Sequence, residues 1–151
     1  MKISSAPGDV LITYALGSCL GITAYDPVAR VGGLIHIMLP LSTTNPAKAK
    51  ENPLMFVDTG VPELFKACYK AGAVKERIVL KVAGGASRHE NEADDQFQIG
   101  KRNFITLRKL LWKNNVLIKA SDVGEHHSRT MLLDVGTGEV TLKINQETVS
   151  L

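Results

Sequence analysis

Cysteine is scarce in this sequence: 151 residues hold two, Cys19 and Cys68, too few for a scaffold stapled by disulfides. Neither belongs to a Cys-x-x-Cys pair, and no two histidines stand at His-x-x-x-His spacing, so a dedicated zinc site has no signature. Runs of one charge are missing too. The basic residues are scattered, the net charge is only +3, and nothing asks for a nucleic-acid partner. Val10 to Tyr25 carries no charge, but its 16 residues fall short of the roughly 20 that span a bilayer, and Gly17, Ser18 and Gly21 interrupt it. No membrane insertion is expected. Met1 to Asp9 has one lysine and no continuous apolar core, so it lacks the layout of an export signal, and the cytoplasm is the expected compartment.

What is present is an ordinary globular composition, 44% hydrophobic and 22% charged, over a length that suits one domain spanning residues 1–151. Val10 to Tyr14 and Leu20 to Tyr25 are β-branched and apolar, and read as two strands around a sharp turn at Gly17-Ser18. Val31 to Leu39 reads as a third strand, with His36 inside it and Pro40 ending it. Leu41 to Pro53, polar and without periodicity, suits an exposed loop. Val57, Val61, Leu64, Phe65 and Cys68 recur at helical spacing and predict a helix ending near Gly72. Pro62 implies that this helix begins near Gly60 or bends there. Arg77 to Ala83 predicts a strand running into Gly84-Gly85-Ala86-Ser87, and Arg88 to Gln98 another loop. Phe104, Leu107, Leu110 and Leu111 mark the apolar side of a second helix that stops at Asn114-Asn115, with Lys101 to Lys113 supplying its basic face. Val116 to Ala120, Thr130 to Val135 and Glu139 to Ile144 read as strands, the last two forming a hairpin. Strands in runs with two helices give an α+β class.

A cysteine is a strong nucleophile only as thiolate, so it needs a basic neighbour. The turn Gly17-Ser18-Cys19 places a sulfur at a strand end, where glycine lets a substrate carbonyl approach the backbone and the N–H groups offer an oxyanion site. Of the four histidines, His36 alone lies in a strand that can neighbour the Cys19 strand, since sequential strands usually pair. It is the candidate base. Spacing alone leaves the plainer reading open, because a strand histidine is more often a satisfied core residue and a cysteine a small hydrophobe. Cys68, on an apolar helical face, reads as core. His126-His127 in a polar loop read as solvated rather than metal-binding, and Gly84 to Ser87 as a substrate-side turn rather than a phosphate cradle.

At these residues the chain resembles the chemoreceptor glutamine deamidase family, CheD. The resemblance is carried by Thr13-Tyr14-Ala15-Leu16-Gly17-Ser18-Cys19, by Asp26-Pro27 and by His36-Ile37-Met38-Leu39-Pro40, with cysteine and histidine 17 positions apart. Gly84-Gly85-Ala86-Ser87 and Ile99-Gly100-Lys101-Arg102-Asn103 are similar to two further blocks. The resemblance implies Cys19 as nucleophile, His36 as base and Thr13 as the residue orienting the imidazole, while the turn itself suggests Gly17 and Ser18 at the oxyanion. It implies a β-sandwich of mixed sheets flanked by helices, similar to the catalytic domain of cytotoxic necrotizing factor toxins. The implied reaction converts receptor glutamine, and glutamate methyl ester, to glutamate through a thioester, with no cofactor and no metal. Implied partners are the cytoplasmic domains of chemoreceptors and a CheC-type phosphatase. An alternative is a non-catalytic regulator of that phosphatase. The chain departs from the family at Arg88-His89, where Met-Phe is usual, and at Gly124-Glu125, where a double glycine is usual.

Overall fold

The computed structural model describes residues 1–87 and 94–151. In chain order its elements are β1 (Lys2–Ser4), β2 (Val10–Leu16), β3 (Leu20–Asp26), β4 (Val31–Ile37), α1 (Pro46–Glu51), α2 (Val57–Lys70), β5 (Val79–Gly84), α3 (Ile99–Lys113), β6 (Ile118–Val123), β7 (Arg129–Asp134), β8 (Val140–Ile144) and β9 (Glu147–Ser150). The class is α+β. A mixed five-stranded sheet runs in the order β1-β4-β3-β5-β6, and an antiparallel four-stranded sheet in the order β2-β7-β8-β9. The parallel pair is β5 and β6, which needs a crossover, and α3 lies in that connection.

Every residue of β3 is buried, because one face of the strand meets helices and the other meets the second sheet. Leu20, Ile22 and Ala24 pack with Val57, Val61 and Leu64 of α2 and with Leu107 and Leu111 of α3. Tyr25, of opposite parity, joins Leu11, Leu16, Met131, Leu133 and Leu142 between the sheets. The same alternation divides β4, sending Val31, Ile35 and Ile37 to the helices and Leu34 to the second sheet. His36 shares the parity of Leu34 and so faces the second sheet. Helix α2 comes close because β4 offers bare backbone there: a Cβ on Gly33 would stand 2.8 Å from the Cys68 sulfur. Burial pushes the Cys68 thiol up to about 11, so this cysteine is core.

Helix α2 starts at Val57 and continues through Pro62, earlier than the proline suggests. Loss of one backbone donor is tolerated because its stripe, from Val57 to Cys68, is buried. The stretch Leu41 to Pro53, expected as a loop, contains α1. Pro46 opens that helix and the Asn45 side chain accepts from the Lys48 N–H. None of its residues is buried, so there was no apolar period to detect. The edge strands β1 and β9 were not foreseen either, and β6 begins two residues later than expected. The expected loop from Arg88 to Gln98 lies in part outside the described residues.

Asp26 closes β3. Its buried carboxylate accepts from the N–H groups of Val28, Ala29 and Val74 and from the Arg77 guanidinium at 2.8–3.1 Å. Burial by itself raises a carboxyl pKa, but Arg77 and the three N–H groups outweigh it and hold Asp26 well below the usual carboxylate range. Its stabilisation is therefore present above the ordinary value of 3.8 and is lost as pH falls from there toward the depressed value in the folded chain. Asp26→Asn is expected to lower stability by about 3 kcal/mol in urea denaturation at neutral pH, and the gap from wild type should narrow steadily below about pH 4.

Candidate active site

Strands β3 and β4 pair antiparallel, with Gly21 opposite His36 and a last rung of Leu20 opposite Ile37. Cys19 immediately precedes β3, two residues from Gly21, and is therefore the diagonal neighbour of His36. Cys19 also packs at the edge of the cluster between the sheets, the side that His36 faces. Both residues are half-buried.

Thr13 reaches this pair from the second sheet. It lies opposite Met131 on β2, and its Oγ1 is 2.8 Å from His36 Nδ1. The sheets come together here because Gly21 has no side chain: a Cβ would stand 2.7 Å from Leu16 Cδ1, 3.0 Å from Met131 Sδ and 3.3 Å from Thr13 Cγ2. Burial, and then the positive chain N-terminus, hold the His36 imidazole below its ordinary pKa, so the neutral ring prevails at neutral pH. In the tautomer whose Nδ1–H donates to Thr13 Oγ1, the lone pair sits on Nε2, on the other side of the ring.

The turn before β3 is tightly built. Ala15 takes a left-handed φ of 56°, and the Gly17 N–H donates to Ala15 O at 2.9 Å. The next three carbonyls are each held: Gly17 O by Ala86 N–H and Cys19 O by Gly85 N–H, both at 2.8 Å, and Ser18 O by the Asn103 side chain at 3.0 Å. A trans peptide sets its N–H opposite its C=O. The Ser18 and Cys19 N–H groups are thus aimed away from β5 and α3.

Gly84-Gly85-Ala86-Ser87 braces this turn. Gly84 has φ +112°, and a Cβ on it would fall 2.1 Å from Cys19 O, so only glycine fits. The brace is tied in turn to the segment after β6, by Gly124 N–H to Gly84 O and Ser87 N–H to Glu125 O, both at 2.9 Å. Glu125 holds a left-handed φ of 59° where the family pattern has a second glycine. Arg129, fully buried, fastens the same segment through Asp122 at 2.6 Å and through the carbonyls of Gly124 and His127. Arg88 and His89 lie outside the described residues.

Cys19, His36, Thr13, Gly17 and Ser18 are thus gathered at one place, and Cys68 sits across the five-stranded sheet from them. His126 and His127 are in the turn after β6. Among the described residues no group of three or more His, Cys, Asp or Glu is placed to hold a metal ion. One residue was missed: Asn103, wholly buried on α3, donates to Ser18 O and to Met38 O, both at 3.0 Å. The signal for it was a polar residue of poor helix propensity on the stripe that continues through Leu107 and Leu111.

Residues 38–144 match the model of a family described as CheD chemotactic sensory transduction. The probable chemoreceptor glutamine deamidase CheD 1 of Syntrophus aciditrophicus is 50% identical over 142 residues, covering 94% of this chain and 88% of that protein. The probable chemoreceptor glutamine deamidase CheD of Solibacter usitatus is 47% identical over 144 residues, with 95% and 84% covered. That of Pyrococcus abyssi is 41% identical over 134 residues, with 89% and 81% covered.

Gly84→Ala puts a methyl group onto the Cys19 carbonyl in a backbone region unsuited to alanine. Thermal denaturation is expected to show a loss of about 2 kcal/mol or more.

Proposed function

The chain belongs to the CheD family, and on that premise we propose that it hydrolyses glutamine side-chain amides of bacterial chemoreceptors to glutamate, in chemotactic adaptation. The observation that carries this reading is the Thr13–His36 bond of 2.8 Å on the strand paired with the one that Cys19 immediately precedes. It orients an imidazole kept neutral by burial beside a sulfur whose backbone is braced by the segment after β5 and by α3.

In the proposed cycle His36 Nε2 takes the Cys19 proton and the thiolate attacks the carboxamide carbon, whose C=O electrons move to oxygen. The oxyanion lies on the N–H groups of the Gly17–Cys19 turn. Gly17 gives its own N–H to Ala15 O and serves by keeping the approach open; the proposed donors are the Ser18 and Cys19 N–H groups, aimed away from β5 and α3 by the held carbonyls of their own peptide units. Losing one such donor elsewhere costs on the order of 10² to 10³ in rate. The C–N bond then breaks, His36 returns its proton to nitrogen, and ammonia leaves a thioester on Cys19. Water, deprotonated by the same ring, attacks the thioester, and glutamate and the thiol are released. A glutamate methyl ester enters the same cycle with methanol leaving.

The proposal extends to the setting: a single domain in the cytoplasm, acting on the cytoplasmic domains of chemoreceptors and bound by a CheC-type phosphatase. It extends also to a sandwich architecture like that of cytotoxic necrotizing factor catalytic domains. No helix of the described residues is long and apolar enough to cross a membrane.

Mass spectrometry of chemoreceptor cytoplasmic fragments tests the function. A gain of about one mass unit at defined glutamines, absent with Cys19→Ala, is expected for this chemistry; binding without any mass change would point to the regulator instead. Thr13→Val, which keeps the shape and removes the hydroxyl, should lower kcat by roughly 10- to 100-fold by releasing the ring. The base must be neutral to act, and its pKa is lowered, so the acid limb of kcat/KM should have its midpoint below pH 6.5.

A further inference from the structure

Beyond the rung of Leu20 and Ile37, β3 and β4 part. The Met38 N–H turns to Met55 O and the Cys19 carbonyl turns to Gly85 N–H, each at 2.8 Å. This is the point where the ladder stops holding the segment that carries the sulfur against the strand that carries the imidazole. What spans the gap is a side chain. Asn103 gives its carboxamide N–H groups to Ser18 O, just before the nucleophile, and to Met38 O, two residues past the base, both at 3.0 Å.

Three properties make this more than a satisfied core contact. Asn103 is 0% exposed, so neither bond is exchanged with solvent. Both partners are carbonyls, so the NH₂ end must face them and the carboxamide cannot flip. Among the described residues its Oδ1 has no hydrogen-bond partner, a destabilising arrangement in a stripe whose later members are leucines. We infer that Asn103 is a positioning residue, which sets the separation of the Cys19 sulfur from the His36 imidazole and aims the Cys19 N–H. The last effect follows because Ser18 C=O and Cys19 N–H share one peptide unit: a donor on the carbonyl fixes the plane and polarises the N–H on its far side. Asn103 touches neither substrate nor sulfur in this role. The inference rests on Cys19 and His36 acting as nucleophile and base.

The test uses the full chain with a chemoreceptor cytoplasmic fragment as substrate, and compares Asn103→Leu, Asn103→Ser and Cys19→Ala. Loss of alignment on the order of an ångström is expected to lower kcat by about 10²-fold in Asn103→Leu. Asn103→Ser, with one donor left, should fall between it and wild type, and KM should change by no more than about threefold because ground-state binding is untouched. Alkylation of Cys19 by iodoacetamide, followed by peptide mass, should shift to higher pH in both variants, which a purely structural role would not produce. Should Asn103→Leu fail to fold, Asn103→Ser decides. A folded variant of either kind with wild-type kcat and alkylation profile overturns the inference, as does a rise in KM with kcat unchanged. Activity persisting in Cys19→Ala would instead overturn the nucleophile assignment, a separate failure.

Discussion

Strand β3 is hydrogen-bonded along both edges, to β4 and to β5, and is covered on both faces, so the residue at its start inherits a register with no slack. A one-residue slip would move every apolar side chain of the strand to the wrong layer, placing Leu20 and Ile22 against the second sheet and Thr23 and Tyr25 against the helices. The site draws on this constraint. Cys19 immediately precedes that strand, His36 faces Gly21 on its neighbour, and Thr13 reaches the ring across the gap that Gly21 leaves bare. The core fixes the register as far as Leu20, and polar contacts carry it on to Cys19.

Around that fixed point the backbone is held by polar contacts. The carbonyls of Gly17, Ser18 and Cys19 are all engaged from the side of β5 and α3, and each fixed carbonyl fixes the N–H opposite it. Preorganised dipoles of this kind need no rearrangement while charge develops on oxygen, which is why they are effective in acyl transfer. The imidazole is tuned in the same spirit. Burial keeps it neutral, and the Thr13 hydroxyl engages its Nδ1 at 2.8 Å. Cys68, on the other face of the sheet, is buried beside Gly33 in the apolar cluster, and burial pushes its thiol up to about 11.

Much of this was legible from residue order. The strands that carry Thr13, Cys19 and His36 were readable from β-branched runs broken by Gly17-Ser18 and Asp26-Pro27, because each is buried on at least one face. Sequential pairing placed His36 beside the Cys19 strand. Helix α1 was not legible because it buries nothing, and β1 and β9 were not because strands of three or four residues on an edge leave too short a period. The braces were hidden for another reason. Gly84 and Asn103 act on the turn before β3 from 65 and 85 residues away, through backbone carbonyls that have no letter in the sequence. Gly84-Gly85 therefore read as a substrate-side turn, and its contacts with the Cys19 backbone came only from the structure.

The central claim is that the imidazole at position 36 activates the sulfur at position 19. The most direct measurement is the rate of Cys19 alkylation by iodoacetamide across pH, in wild type and in His36→Ala. The account predicts that wild-type Cys19 reacts at pH values well below an ordinary thiol pKa of about 8.5 and that the variant returns to the ordinary thiol curve. Superimposable curves for the two proteins would contradict it.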